Sequence, residues 1–176
     1  MSTEERERLS NELLFCVQGI GSVKVVGGFK AYVKNEHCDE SIRELIKHIK
    51  FESPKNPVVK ELLGEWDIVQ QHLLPLVIFH AKDKKLSFLT LMLLVQLTEL
   101  PSSECLAKTR HSVFESLAKS KESFLAPKVI ETLMTHLSDC LQIEQKNQKH
   151  TQMIELVVVL FKQLLIIPER TSHAQN

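Results

Sequence analysis

The residues best suited to chemistry in this chain are few and poorly grouped. Gly19-x-Gly21-x-x-Lys24 has the outline of a nucleotide-binding loop. It lacks the third glycine and follows a helical stretch rather than a strand, so the context that would cradle a pyrophosphate is missing. His37 and Cys38 are adjacent, which is a poor spacing for two ligands of one metal. His136 and Cys140 lie one helical turn apart and offer two ligands, whereas zinc needs three or four. The four cysteines, Cys16, Cys38, Cys105 and Cys140, contain no C-x-x-C pair and form no dense disulfide framework. No nucleophile elbow frames a serine or cysteine. These readings leave no catalytic, cofactor-binding or metal-ligating residue to name, and the expectation is a protein without enzymatic activity.

Charge offers a second kind of chemistry. Lysine plus arginine number 22 and aspartate plus glutamate 22, a net charge of zero. That balance argues against a surface that is cationic throughout, but it permits a local basic strip. Lys108, Arg110, Lys119 and Lys121 lie in a stretch whose acidic residues are fewer, and Lys82, Lys84 and Lys85 crowd one short segment. If these segments converge, the seven residues form a strip that contacts duplex backbone without reading sequence. Otherwise they are ordinary solvated surface. No aromatic residues interleave with them, so single-strand stacking is not expected.

The elements that must position these residues are helical. All five glycines fall at or before Gly64, and the rest is rich in Leu, Lys, Glu and Gln, which favours helix. Ser2 followed by Glu5 reads as a capping box opening a first helix that Gly19 ends. Val23 to Val33 places two β-favouring runs around Gly27-Gly28, which is either a hairpin or an ordered loop. A second helix spans Asp39 to Lys50. Asn56-Pro57 reads as N-cap and N1 of a third, with Gly64 a break or a close-packing point. A fourth covers Trp66 to His80, with Pro75 kinking it or opening its second half. Lys82 to Lys85 reads as a loop before a nearly all-apolar fifth helix, Leu86 to Thr98, expected to be the most buried. Pro101-Ser102-Ser103 ends it and caps a sixth, Glu104 to Lys119. Pro127 opens a seventh, Gln142 to His150 is a linker, and Thr151 to Ile167 is an eighth. Its end at Pro168 leaves 169–176 as a polar, frayed tail beside one helical domain, 1–168. The apolar runs are too short and too charged to span a bilayer. The polar N-terminus is no secretory signal, and with the cysteine pattern this points to a reducing, intracellular compartment. Seven to eight helices with short connections fit a closed bundle or an open array of helix pairs. No strict repeat period is visible.

Particular residues then carry a resemblance. Cys38-Asp39-Glu40-Ser41-Ile42-Arg43-Glu44-Leu45-Ile46 is similar to the second-helix signature of the Timeless family, the replication fork protection proteins. Cys38, Ser41, Ile42, Leu45 and Ile46 are its core. Leu63-Gly64, Leu73-Leu74-Pro75-Leu76, Val95-Gln96-Leu97-Thr98, Lys121-Glu122-x-Phe124 (resembling a loop that enters a helix) and Leu160-Phe161-Lys162-Gln163-Leu164-Leu165 resemble successive family blocks in the same order. The resemblance implies an all-α, right-handed α-solenoid of armadillo/HEAT-like antiparallel helix pairs. It implies a nuclear, non-enzymatic scaffold that binds a small Tipin-like partner and replisome components. It also implies duplex DNA contact and support of stalled forks and checkpoint signalling. The alternative is a helical adaptor of the clock-type relatives with no replication role. No membrane, cofactor or small-molecule substrate is implied. The segment Val23 to Asn35 departs from the acidic loop usual in the family. Members are several times longer, so the chain is expected to be a fragment, a truncated product or a degenerate copy, and a partner site built by later repeats would be absent.

Overall fold

The computed structural model describes residues 1–169. The frayed tail therefore falls, from residue 170 on, outside the described residues. Eight α-helices are present among them: α1 Thr3–Gln18, α2 Cys38–Phe51, α3 Val58–Glu65, α4 Leu74–Phe79, α5 Lys84–Thr98, α6 Ala107–Phe124, α7 Pro127–Leu141 and α8 Gln148–Ile166. A π-helical turn, Val69–Leu73, runs into α4, and strands β1 Gly21–Val26 and β2 Phe29–Lys34 form an antiparallel hairpin. The expectation of an all-α chain is corrected by this small sheet.

Local chemistry explains most boundaries. The α1 capping box forms: Ser2 Oγ accepts from Glu5 N at 3.1 Å and Ser2 N donates to Glu5 at 3.4 Å. The hairpin turns on Gly27 (φ 58°) and Gly28 (φ 83°), the pair of left-handed residues that a two-residue turn matched to strand twist requires. Its root is pinned to the helices. The Tyr32 hydroxyl donates to His72 Nδ1 at 2.7 Å, and His80 Nε2 donates to the Tyr32 carbonyl at 2.9 Å. Burial holds the His72 imidazole below its ordinary value, neutral and able to accept. Lys34 pairs with Asp83 at 2.9 Å, which completes the attachment.

Four boundaries differ from expectation. Asn56 does not cap α3, since its Oδ1 accepts from Thr109 instead. Glu52 does so from a distance, accepting from Val59 N at 2.7 Å and Lys60 N at 3.4 Å. Helix four is not continuous. Asp67 takes a left-handed turn at φ 54°, and Leu74 N bonds five residues back to Val69 O, a wider turn that leads into Pro75 in the first turn of α4. Lys84 and Lys85 belong to the first turn of α5, with Asp83 Oδ1 accepting from Leu86 N at 3.1 Å. Finally, α6 starts three residues late and ends five late. Leu106 N donates to Lys55 O at 2.9 Å, which holds 102–106 as a turn against the α2–α3 connection. Lys121, Glu122 and Phe124 consequently sit in the last turn of α6 rather than in a loop.

The core centres on α5. Leu86, Leu91, Leu93 and Leu94 are almost inaccessible, and α5 packs against α2, α4 and α8 together. Beyond these contacts α3 packs on α6, α4 on α7, α1 on α2 and α7 on α8. Gly64 proves to be a close-packing point rather than a break. A Cβ there would lie 2.5 Å from Ser116 Oγ and 2.7 Å from its Cβ, so α3 approaches α6 as only glycine permits.

Two predictions follow from this packing. Leu94→Ala, at a site with 0% exposure, should cost about 2–5 kcal/mol in urea unfolding; a loss under about 0.5 kcal/mol would contradict its core placement. Gly64→Ala should cost about 1–3 kcal/mol through overpacking, and adding Ser116→Gly should recover much of that loss in a double-mutant cycle. No recovery would show that the two helices do not meet there.

Candidate interaction surfaces

The signature residues of α2 turn inward. Cys38, Ile42 and Leu45 are buried, and Ser41 and Ile46 are half-buried. Burial, reinforced by Asp39, pushes the Cys38 thiol to about 11, so it is an inert packing group rather than a nucleophile. Two other family-like blocks meet in space. Gln163 Nε2 of α8 donates to the Val95 carbonyl at 2.7 Å and to Thr98 Oγ1 at 2.8 Å, at the last turn of α5. Carbonyls there have no intrahelical donor, so the glutamine side chain supplies one and locks the parallel ends of the two helices.

The seven basic residues are distributed rather than gathered. Lys82, Lys84 and Lys85 lie at the N-terminal end of α5 and are exposed. Lys84 is 3.8 Å from Asp139 and Lys85 3.8 Å from Asp39; such exposed pairs are weak and open easily. Lys108 and Arg110 start α6, beyond the other end of α5, a helix length of about 22 Å away. Lys108 is exposed, but Arg110 is half-buried and donates to Ser102 O at 2.6 Å, so it holds the α5–α6 connection. Lys119 is 3.5 Å from Asp67, and Lys121 donates to Ile167 O at 2.9 Å, capping the end of α8. Of the seven, Lys82, Lys84, Lys85 and Lys108 are thus the most available, three at the start of α5 and one at the start of α6.

The remaining chemical candidates separate likewise. Gly19 caps α1, Gly21 opens β1 and Lys24 is exposed within that strand, so no phosphate loop forms. His136 is buried and held neutral, its burial pulling it below the ordinary value. Among the described residues, no three His, Cys, Asp or Glu side chains come together as a metal site would require. No described helix is long and apolar enough to cross a membrane. An open groove of about 930 Å³ lies between α1 and α2, lined by Glu12, Phe15, Cys16, Glu36, His37, Glu40, Glu44 and His48 among others. Sequence reading misses this groove, because its walls come from two helices and the residues after β2.

Glu52 was also invisible in the sequence. Its carboxyl lines a pocket of about 370 Å³ with Pro57, Lys60, Gln96 and Glu99. Burial raises it from 4.5 to about 7, against the opposing pull of the Val59 and Lys60 amides. The only local signal is an acid six residues ahead of a helix that lacks its own cap. Because the folded value exceeds the unfolded one, the native state keeps a proton that the unfolded chain has lost between pH 4.5 and 7. The Glu52 contribution to stability should therefore fall as pH rises through that window and stay flat above it. Glu52→Gln, which retains an acceptor, should become more stable relative to the parent by about 1–2 kcal/mol over that range. Urea unfolding of both proteins at each pH cancels the opposite contributions of His72 and His136; a pH-independent difference would contradict the assignment.

Comparison with known proteins agrees with the order of these blocks. A family model described as Timeless protein matches residues 31–176. The protein timeless homolog of Mus musculus is 30% identical over 176 residues, covering 94% of this chain and 14% of that protein. The protein timeless homolog of Homo sapiens is 30% identical over 148 residues, covering 78% of this chain and 12% of that protein. The chain thus spans about one seventh of the length of the mouse relative. With the family model matched over most of the chain and the helices carrying its blocks packed into one core, this chain belongs to the Timeless family.

Proposed function

We propose that this chain is a non-enzymatic helical scaffold of a Timeless-type fork protection complex, working in the nucleus. It binds a small Tipin-like partner and replisome components, contacts duplex DNA backbone, and supports fork stability and checkpoint signalling. The observation that carries this reading is family membership across residues 31–176. Shape supports it as well. Helices three apart in sequence pack on one another, α2 on α5 on α8, α3 on α6 and α4 on α7. That pattern is what stacked three-helix layers of a right-handed, armadillo-type solenoid would give, and it is the reading we adopt for the architecture. Because layers are separated by loops of unequal length, no fixed period need appear in the sequence.

For DNA, the residues to carry contact are Lys82, Lys84, Lys85 and Lys108. Arg110, Lys119 and Lys121 also serve internal bonds, so their replacement would confuse folding with binding. The lysines at the start of α5 and Lys108 at the start of α6 can each meet phosphates of one duplex, a contact without sequence preference.

Replacing Lys82, Lys84, Lys85 and Lys108 by Glu should weaken binding to a random-sequence duplex and flatten its salt dependence, by a slope of about 0.9 per lost phosphate contact. Unchanged affinity and slope would reduce the lysines to solvated surface. Pull-down with a Tipin-like protein should enrich the chain over a control helical repeat, and imaging should place it in S-phase nuclei. Nuclear exclusion throughout S phase together with no enrichment would favour the adaptor reading.

A further inference from the structure

We propose that the β1–β2 hairpin is a self-recognition element, its basic and apolar tip docking into the acidic groove between α1 and α2 of a second copy of this chain. Two observations that the packing leaves unexplained complement each other. The first is the hairpin. Residues 22–30 are exposed without a break, and Val25, Val26 and Phe29 at the tip are 71%, 57% and 79% exposed. Lys24 and Lys30 flank them, and residues 21–34 contain no aspartate or glutamate. Protruding apolar groups of this size are costly in water unless something covers them.

The second is the groove. It has a volume of about 930 Å³, its lining includes the 79% exposed Phe15, and Glu12, Glu36, Glu40 and Glu44 border it; Lys47, outside the lining, pairs with Glu44 at 3.2 Å, and His37 and His48 stand beside Glu40 and Glu12. The hairpin brings apolar groups with two cations, and the groove offers an exposed ring with four carboxylates. Charge complementarity of this kind selects and orients a partner.

The hairpin does not occupy its own groove. Its strands pair along their full length and its root is fixed by Tyr32, His80 and Lys34, so the exposed tip is held away from the body. Root and groove nevertheless share a border, since Gly19 and Asn35, which flank the hairpin, also line the groove. A two-fold axis beside the root therefore lets each tip enter the other copy's groove, a closed and reciprocal contact. The zero net charge opposes no such approach.

Sedimentation velocity of the full chain at low salt should show a monomer–dimer equilibrium that salt weakens. Lys24→Glu with Lys30→Glu should raise the dimer dissociation constant at least about tenfold, as should Glu40→Lys with Glu44→Lys. All four positions are exposed, and circular dichroism checks that both variants fold. Mixing the two variants should restore the dimer, because each reversed tip then meets a reversed groove. A monomer at every concentration up to about 500 µM, or a dimer indifferent to both reversals, would overturn the proposal. So would loss of duplex DNA binding in the hairpin variant of a monomeric parent, which would assign the tip to nucleic acid instead.

Discussion

Helix α5 is buried over most of its surface and keeps only one half-buried stripe, Phe88, Met92, Val95 and Gln96. Its buried positions, from Leu86 through Thr98, cover more than half of the circumference, so the helix is stable only when other helices pack on it from several sides. This single requirement fixes much of the rest. Neighbours α2, α4 and α8 must each present an apolar stripe to it, and their outer faces are then free to be polar. Two of the three hydroxyls that α5 buries are returned to its own backbone, Thr90 to Leu86 O and Thr98 to Leu94 O, both at 2.8 Å, while the Ser87 hydroxyl finds no partner among the described residues. Such bonds cost little, because a buried donor left unmade would cost far more.

A core organised in this way puts the chemistry at the edges. The buried thiol of Cys38, the half-buried imidazole of His72 and the buried imidazole of His136 are neutral and committed to the interior. Charge is found instead on helix ends and in the α1–α2 groove, and exposed apolar groups stand on the hairpin as well as on helix surfaces such as Phe15, Phe51 and Leu165. That division suits a platform whose contacts are made by rims and projections. It also gives the hairpin freedom to vary, since only its root is tied to the helices and nothing in the core depends on its tip.

The helices were legible in the sequence wherever local chemistry was sufficient. The Ser2–Glu5 capping box and the Pro127 start both fall where side-chain pattern and cap geometry agree. The open choice at Gly27-Gly28 resolves to a hairpin because Tyr32 finds His72, a partner far along the chain. The misses share that cause. Glu52 reaches over a loop to cap α3 and displaces Asn56; Lys55 O holds back the start of α6; and Asp67, not Gly64, makes the break after α3. Of the candidate surface, the lysines could be named from composition, but Ser102, Asp67 and the end of α8 decide which basic residues serve internal bonds. The collinear blocks at 95–98 and 160–165 were visible as strings, yet their meaning, a glutamine capping a neighbouring helix, needed both ends in view.

Native-state amide hydrogen exchange tests the central claim most directly, since it ranks segments by the free energy needed to open them. If α5 is the pillar of the structure, its amides should be the slowest in the chain and exchange only with global unfolding, with the facing turns of α2 and α8 close behind and the hairpin tip fast. Exchange of α5 by local opening, at rates near those of the hairpin tip, would contradict the account.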